Sequence, residues 1–432
     1  TKAKLLLLDS LGSAVAATTT EWGRTIIELA TELGGPGEST VIGTPRRLPA
    51  ANAAMANGSL IHGLDFDDTY LPAVIHPSCS IIPAVLATGE ATRANGRTLI
   101  LAATAGYETI VRIARAGRNN FFLRHFHTAG VFGPTGAGMG AARVMGLDAN
   151  TIASTLGIAA SLGGGILQTQ VDGTAVKVLH PAWGAHGGIV AAKLAAKGFA
   201  GPRHIYEGEL GFFKTYLGEG NYDLDALTND LGTSWHMLDI SFKFYPGGHA
   251  AHFYIESFRC IKGDRNLKPE DVDEICCIVS PRWVNFLFQP ASYAPPNAYI
   301  ARFSLPYLVA IALLHDEIAP ESFTPQNIAD GNILELARKV TYRVAQDADQ
   351  PQNWGRVVVK TKAGQTYEHK EKYILGEPEK PATKEDLQRK FQRNAGRLLG
   401  TEKTGAILRE IDDLENLTDI GRLVGLTTRA AT

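Results

Sequence analysis

The sequence predicts a mainly α protein: a large all-helical domain formed by both chain ends, with a smaller α+β lid domain inserted between them. Two observations predict it. Up to about His236 the apolar residues recur at helical spacing and lean on Ala and Gly, which lets helices approach closely. After Lys243 short β-branched and apolar runs take over, and the helical pattern returns only at Thr383. The boundaries expected are 1–240 for the first helical part, 241–376 for the inserted domain and 377–432 for the helical return.

The first element begins at the apolar run Leu5 to Leu8. With Ala14-Val15-Ala16 it imitates a secretory signal, but Asp9 and Gly12 interrupt the apolar run, so a buried helix through Leu8, Leu11 and Val15 is expected. No other stretch reaches the roughly 18 uncharged residues of a membrane span. A small-residue helix over Ala50 to His62 comes next and delivers three carboxylates, Asp65, Asp67 and Asp68, to a loop. Further helices are expected at Thr98 to Arg115, Gly130 to Met145, Asn150 to Leu162 and Gly187 to Lys197.

Strands are expected at Val272 to Val279, Lys339 to Ala345, Val357 to Val359 and Tyr367 to Tyr373, the last two joined as a hairpin through Lys362-Ala363-Gly364-Gln365. The stretch Gln289 to Pro296, with Tyr293, reads as a loop. Thr383-Lys384-Glu385-Asp386 carries a helix-cap signature, and Gly405 to Leu423 is expected to stay helical.

Composition bounds the function. The 432 residues include 42 basic and 44 acidic side chains, a net charge of −2, with no long block of either sign, so nucleic-acid binding is not indicated. The four cysteines, Cys79, Cys260, Cys276 and Cys277, lack metal-ligand spacing and suggest neither a zinc knuckle nor a disulfide framework, which fits a reducing cytoplasm.

The densest chemistry lies in His62-Gly63-Leu64-Asp65-Phe66-Asp67-Asp68-Thr69 and in His76-Pro77-Ser78, which comes after a gap of six residues. These groups could hold a divalent cation, but the spacing matches no EF-hand or HExxH pattern. The plainer expectation is that one Asp caps the next turn, another pairs with a Lys or Arg, and His62 packs in the core. Glycines 133, 136, 138 and 140 come after His125-Phe126-His127 without a preceding strand, so they serve helix packing rather than a phosphate loop. His127 then projects from the loop feeding that helix, and Lys177 sits near a helix N-terminus that attracts a carboxylate. Lys243, in Lys243-Phe244-Tyr245-Pro246-Gly247-Gly248-His249, lies where the two patterns meet.

Taken together the motifs resemble the MmgE/PrpD family. They are Leu64 to Thr69 with His76-Pro77-Ser78, Phe126-His127, Lys177-Val178-Leu179-His180, Gly198-Phe199-Ala200-Gly201-Pro202, Lys243 to Pro246 with His252, and Phe303-Ser304-Leu305-Pro306-Tyr307. The resemblance implies a cofactor-free homodimer acting on a small carboxylate; with the charge balance, hydropathy and ligand spacing above, no metal and no nucleic-acid or membrane partner is expected. It places the active site on Asp65, Thr69, His76, His127, Lys177, Lys243 and Tyr307. Ala129, Trp183 and Gly247-Gly248 depart from the residues common there, and the six-residue gap before His76 suggests a pocket unlike that of the animal decarboxylases.

The chemistry implied is bond cleavage beside a carboxylate, with negative charge spreading onto its oxygens. Lys177 and Lys243 are expected to clamp that charge with help from Thr69. His76 and His127 exchange protons, Asp65 orients a ring and Tyr307 protonates a leaving hydroxyl. Dehydration of a 2-methylcitrate-like hydroxy acid is the leading expectation. Epimerisation of an iminodisuccinate-like dicarboxylate, decarboxylation of a cis-aconitate-type acid, a non-catalytic carboxylate-binding role and a metal-dependent hydrolase are the alternatives.

Overall fold

In a computed structural model that describes residues 1–346 and 354–429, the chain is mainly helical and divides into two compact units. The first comprises Thr1–Phe242 with Ala382–Thr432, the second Lys243–Pro381.

In the first unit, helix α1 (Lys2–Ala17) is buried along most of its length, as its apolar Leu and Ala residues dictate. Helix α2 (Glu21–Glu32) is amphipathic and capped by Thr20, whose hydroxyl accepts the Gly23 N–H. The central layer contains α3 (Ala50–His62), α4 (Ser78–Thr92), α5 (Gly96–Ala116), α6 (Thr128–Val144), α7 (Ala149–Ala160) and α8 (Val176–Ala196). Small residues allow α6 and α8 to pack backbone against backbone: a Cβ at Gly188 would stand 2.6 Å from the Gly138 nitrogen. All the glycines from 130 to 140 lie inside α6, which excludes a phosphate loop there. The last long helix of the expected set begins at Val176, so Lys177 lies near its N-terminus as expected, and the segment Gly187 to Lys197 is its C-terminal half. It runs on through the internal Pro181, which gives up the backbone bond to the Lys177 carbonyl.

Two details depart from an all-helical domain with a continuous end. Ser39–Thr40 pairs antiparallel with Arg47–Leu48. The C-terminal helix α9 (Lys384–Asp412) opens on a Thr383–Asp386 capping box, kinks at Gly400 and stops at Asp413. Beyond it come a single 3-10 turn and the short helix Gly421–Leu426. The kink has a local cause: Gly400 takes φ 81°, ψ 163°, a conformation outside the helical region. Lys390 of α9 is buried, forms a 2.5 Å ion pair with Asp9 of α1, and donates to the Phe66 carbonyl at 2.8 Å.

The second unit holds a four-stranded mixed sheet of β1 (Val272–Val279), β2 (Val340–Val344), β3 (Gly355–Thr361) and β4 (Thr366–Glu371), in the order β2-β1-β3-β4. β1 runs parallel to β2 and antiparallel to β3, with Ile275 opposite Val359 and Cys277 opposite Val357. The β3–β4 hairpin closes through Lys362–Gln365, where Gly364 adopts φ +82°. Ser257 of the helix His249–Arg265 pins the sheet: its hydroxyl donates to the Gly355 carbonyl and accepts from the Glu371 N–H. The Pro-rich stretch contains one 3-10 turn, Pro290–Tyr293. The four cysteines are free thiols, and no helix among the described residues is long and apolar enough to cross a membrane.

Candidate active site

Helix α3 ends at His62, and the chain turns so that Asp65 adopts φ +51°, a left-handed conformation Asp tolerates better than most residues. That turn directs the segment Asp65 to Thr69 into the interior, where all three carboxylates are buried. Asp68 Oδ1 accepts the Ser78 N–H at 3.1 Å and so caps the first turn of α4. Asp67 accepts from His62 Nδ1 at 3.0 Å, and the other ring nitrogen of His62 faces Lys177 Nζ at 2.9 Å. Lys177 Nζ also donates to Asp65 Oδ2 at 2.7 Å. His76 hydrogen-bonds through Nδ1 to the Asp68 carbonyl at 2.9 Å, with Asp67 Oδ1 3.4 Å away.

His127 is the N-cap of α6, and its ring stacks on His62 with centroids 5.4 Å apart. Its Nδ1 lies 3.1 Å from Nδ1 of His180, one helical turn beyond Lys177 on α8. The His127 Nε2 atom and the Thr69 hydroxyl are buried and have no hydrogen-bond partner among the described residues. Unpaired buried polar atoms are costly, and these two stand in the same cluster of imidazoles and carboxylates.

The electrostatics arise from this packing. Burial, then the charge of Lys177, lowers His62 to about 4 despite Asp67. The same two causes hold His127 well below the ordinary imidazole range and lower His180 to about 4. Burial opposes a charge on Asp67, but His62 and His76 outweigh it and keep its carboxyl well below its usual range. Asp68, buried and beside the Asp67 charge, is raised to about 8 and carries a proton at neutral pH. The Lys177 side chain therefore sits beside three imidazoles, His62, His127 and His180, whose charged forms are disfavoured.

Of the expected residues, Asp65, His76, His127 and Lys177 are brought together here. Thr69 lies in the same loop, held by paired backbone bonds with Ser241. Lys243 and Tyr307 belong to the second unit: Lys243 is buried and donates to the Gly247 carbonyl at 3.2 Å, while the Tyr307 hydroxyl donates to the Ser322 carbonyl at 2.8 Å. His62, expected as a plain core histidine, is buried but also joins Asp67 to Lys177. His180 carried no expected role, although its three-residue spacing from Lys177 puts both on one helix face. His62, Asp67 and His76 each offer a ligand atom within 4.8 Å of the others, yet those atoms are spent on mutual and backbone hydrogen bonds.

Residues 1–225 match the MmgE/PrpD N-terminal domain and residues 245–416 the MmgE/PrpD C-terminal domain. The cis-aconitate decarboxylase of Homo sapiens is 30% identical over 439 residues, covering 98% of this chain and 89% of the relative. Those of Mus musculus and Aspergillus terreus are 28% and 26% identical, again over 98% of this chain and over 88% and 91% of their own lengths.

Proposed function

Because the chain belongs to the MmgE/PrpD family, we propose that it is a lyase that breaks a bond beside a carboxylate of a small di- or tricarboxylic acid. The observation that carries this reading is the Lys177 ammonium set among imidazoles held neutral, with His127 Nε2 buried and unbonded. In such a site Lys177 attracts the carboxylate and steadies the enediolate-like charge that develops on it. Preorganised charge of this kind is worth a few kcal/mol in the transition state. His127 moves a proton at the adjacent carbon.

Within that class, decarboxylation of a cis-aconitate-type acid is favoured by the names of the relatives and by Tyr307. The phenol proposed to protonate a leaving hydroxyl is already committed to the Ser322 carbonyl. Dehydration of a 2-methylcitrate-like acid is the second reading. It is favoured by His127, whose neutral ring is a base at physiological pH and suits removal of an α-proton.

The test is NMR in deuterated water with cis-aconitate, 2-methylcitrate, citrate and iminodisuccinate as separate substrates. Loss of CO2 from cis-aconitate supports the first reading and elimination from 2-methylcitrate the second. Epimerisation of iminodisuccinate, or no reaction with any of the four, overturns the lyase assignment.

A further inference from the structure

We infer that His127 and His180 form a proton relay that connects the buried end of the site to solvent. The two Nδ1 atoms lie 3.1 Å apart, so one carries the shared hydrogen and the other accepts it. His127 is buried and its Nε2 has no partner among the described residues, whereas His180 is only half-buried. A proton bound at one end of the pair can therefore leave at the other.

Local backbone geometry builds this contact. Pro134 has no N–H to offer the Gly130 carbonyl one turn back in α6, and that carbonyl accepts the Gly164 N–H instead, at 3.2 Å. The neighbouring Gly165 carbonyl accepts the His127 N–H at 3.0 Å. Gly165 itself adopts φ +125°, and a Cβ there would stand 2.8 Å from the His180 ring. The 163–165 segment thus fixes the His127 backbone and walls the His180 ring against it.

The relay deepens the lyase reading and rests on it. In the direction that protonates carbon, the His127 Nε2–H bond breaks and its proton goes to the carbanionic carbon. His127 Nδ1 takes the hydrogen of His180 Nδ1, and His180 Nε2 takes a proton from water, leaving hydroxide in the solvent to carry the negative charge that the carbon has lost. Both rings begin and end neutral, with the direction of the N–H···N bond reversed. Removal of an α-proton runs the same steps backwards. Once product leaves, water reaching His127 Nε2 returns the pair to its starting tautomers. The arrangement moves a proton without placing an imidazolium beside the Lys177 ammonium, a charge that burial and Lys177 both oppose.

Two measurements judge the relay. In 15N-labelled enzyme, a protected imidazole N–H with coupling to both Nδ1 atoms is expected, and it vanishes in His180→Gln; absence of that shared proton in the folded wild type overturns the relay. On whichever carboxylate the wild type turns over, His180→Gln and His180→Asn should lower kcat about tenfold to a hundredfold with KM unchanged. Added imidazole should restore part of the loss. Unchanged kcat, or a loss that comes with raised KM and resists imidazole, overturns it. If the wild type turns over no carboxylate, the lyase reading fails while the NMR measurement still decides whether the pair shares a proton.

Discussion

Lys177 Nζ stands 2.9 Å from Nε2 of His62, a ring whose opposite nitrogen is hydrogen-bonded to Asp67. The bond to the Asp67 carboxylate places the imidazole proton on Nδ1, so Nε2 presents a lone pair to the ammonium group. Asp67, His62, Lys177 and Asp65 form one chain in which a carboxylate at each end steadies a cation between them.

Lys177→Met removes that cation. Turnover is expected to fall at least about a hundredfold, the scale for loss of a preorganised charge donor. His62 and His127 should then titrate closer to the ordinary imidazole value, since the Lys177 charge is one cause of their depression. Steady-state kinetics and NMR titration of the imidazoles check the two effects; an unmoved His62 titration would show that Lys177 does not act on it.

Asp67→Asn tests the tautomer. An amide can turn its NH2 toward His62 Nδ1 and drive the ring proton to Nε2, where it faces the ammonium group. The expected loss lies between about tenfold and ten-thousandfold, the upper end being the cost of a misassigned tautomer in a carboxylate–imidazole pair. Circular dichroism and kinetics distinguish a lost tautomer from a lost fold.

Much of this site was legible because its groups cluster along the chain. Asp65 to His76 is one continuous segment, and the small-residue helices around it are announced by periodicity. His62 and His180 were not legible, for a physical reason. A histidine on an apolar helix face carries the same local signal whether it packs inertly or meets a partner from another helix, and these partners lie 115 and 53 residues away. The Tyr307 hydroxyl likewise finds its acceptor in a 3-10 turn that periodicity does not mark. The continuous helix expected through Leu423 stops at Asp412 because Asp413 leaves helical geometry, and a 3-10 turn intervenes before Gly421–Leu426, although the apolar spacing continues.

The pH profile should have its acid limb well below the ordinary imidazole value of about 6.5. The proposed proton transfer needs a neutral His127 ring in either direction, and burial with the Lys177 charge disfavours its protonation far into acid. Activity then persists as pH falls through about 6, and a limb centred near 6.5 would contradict the geometry. In Lys177→Met the limb should move upward.

Asp68→Asn reports on stability rather than turnover. Burial and Asp67 raise this carboxyl to about 8, while in the unfolded chain it ionises near 3.8. Between those values the folded state binds a proton that the unfolded state has released, so wild-type stability falls as pH rises through the window. The full effect of such a shift is on the order of 5 kcal/mol. Asn keeps the acceptor for the Ser78 N–H and has no charge to suppress. Urea unfolding at about pH 5 and about pH 8 should show the variant gaining on the wild type at the higher pH; a constant difference would mean that Asp68 is already ionised in the folded protein.

Lys390→Met separates the scaffold from the chemistry. Lys390 is buried, pairs with Asp9 at 2.5 Å and donates to the carbonyl of Phe66, the residue between Asp65 and Asp67. Methionine keeps the unbranched apolar stem one atom shorter, but it takes the ammonium group away from the buried Asp9 carboxylate and the donor away from the Phe66 carbonyl. Breaking a buried pair from one side costs about 3–5 kcal/mol. Asp9→Asn combined with Lys390→Met removes the buried carboxylate charge as well and should recover a large part of that loss. The Phe66 carbonyl loses the Lys390 bond in both variants, so if this bond also sets the Asp65 turn, stability will return in the double variant while turnover remains depressed. Differential scanning calorimetry and kinetics on the single and double variants check this, and full recovery of turnover in the double variant would show that α9 holds the fold together without aiming the Asp65 turn.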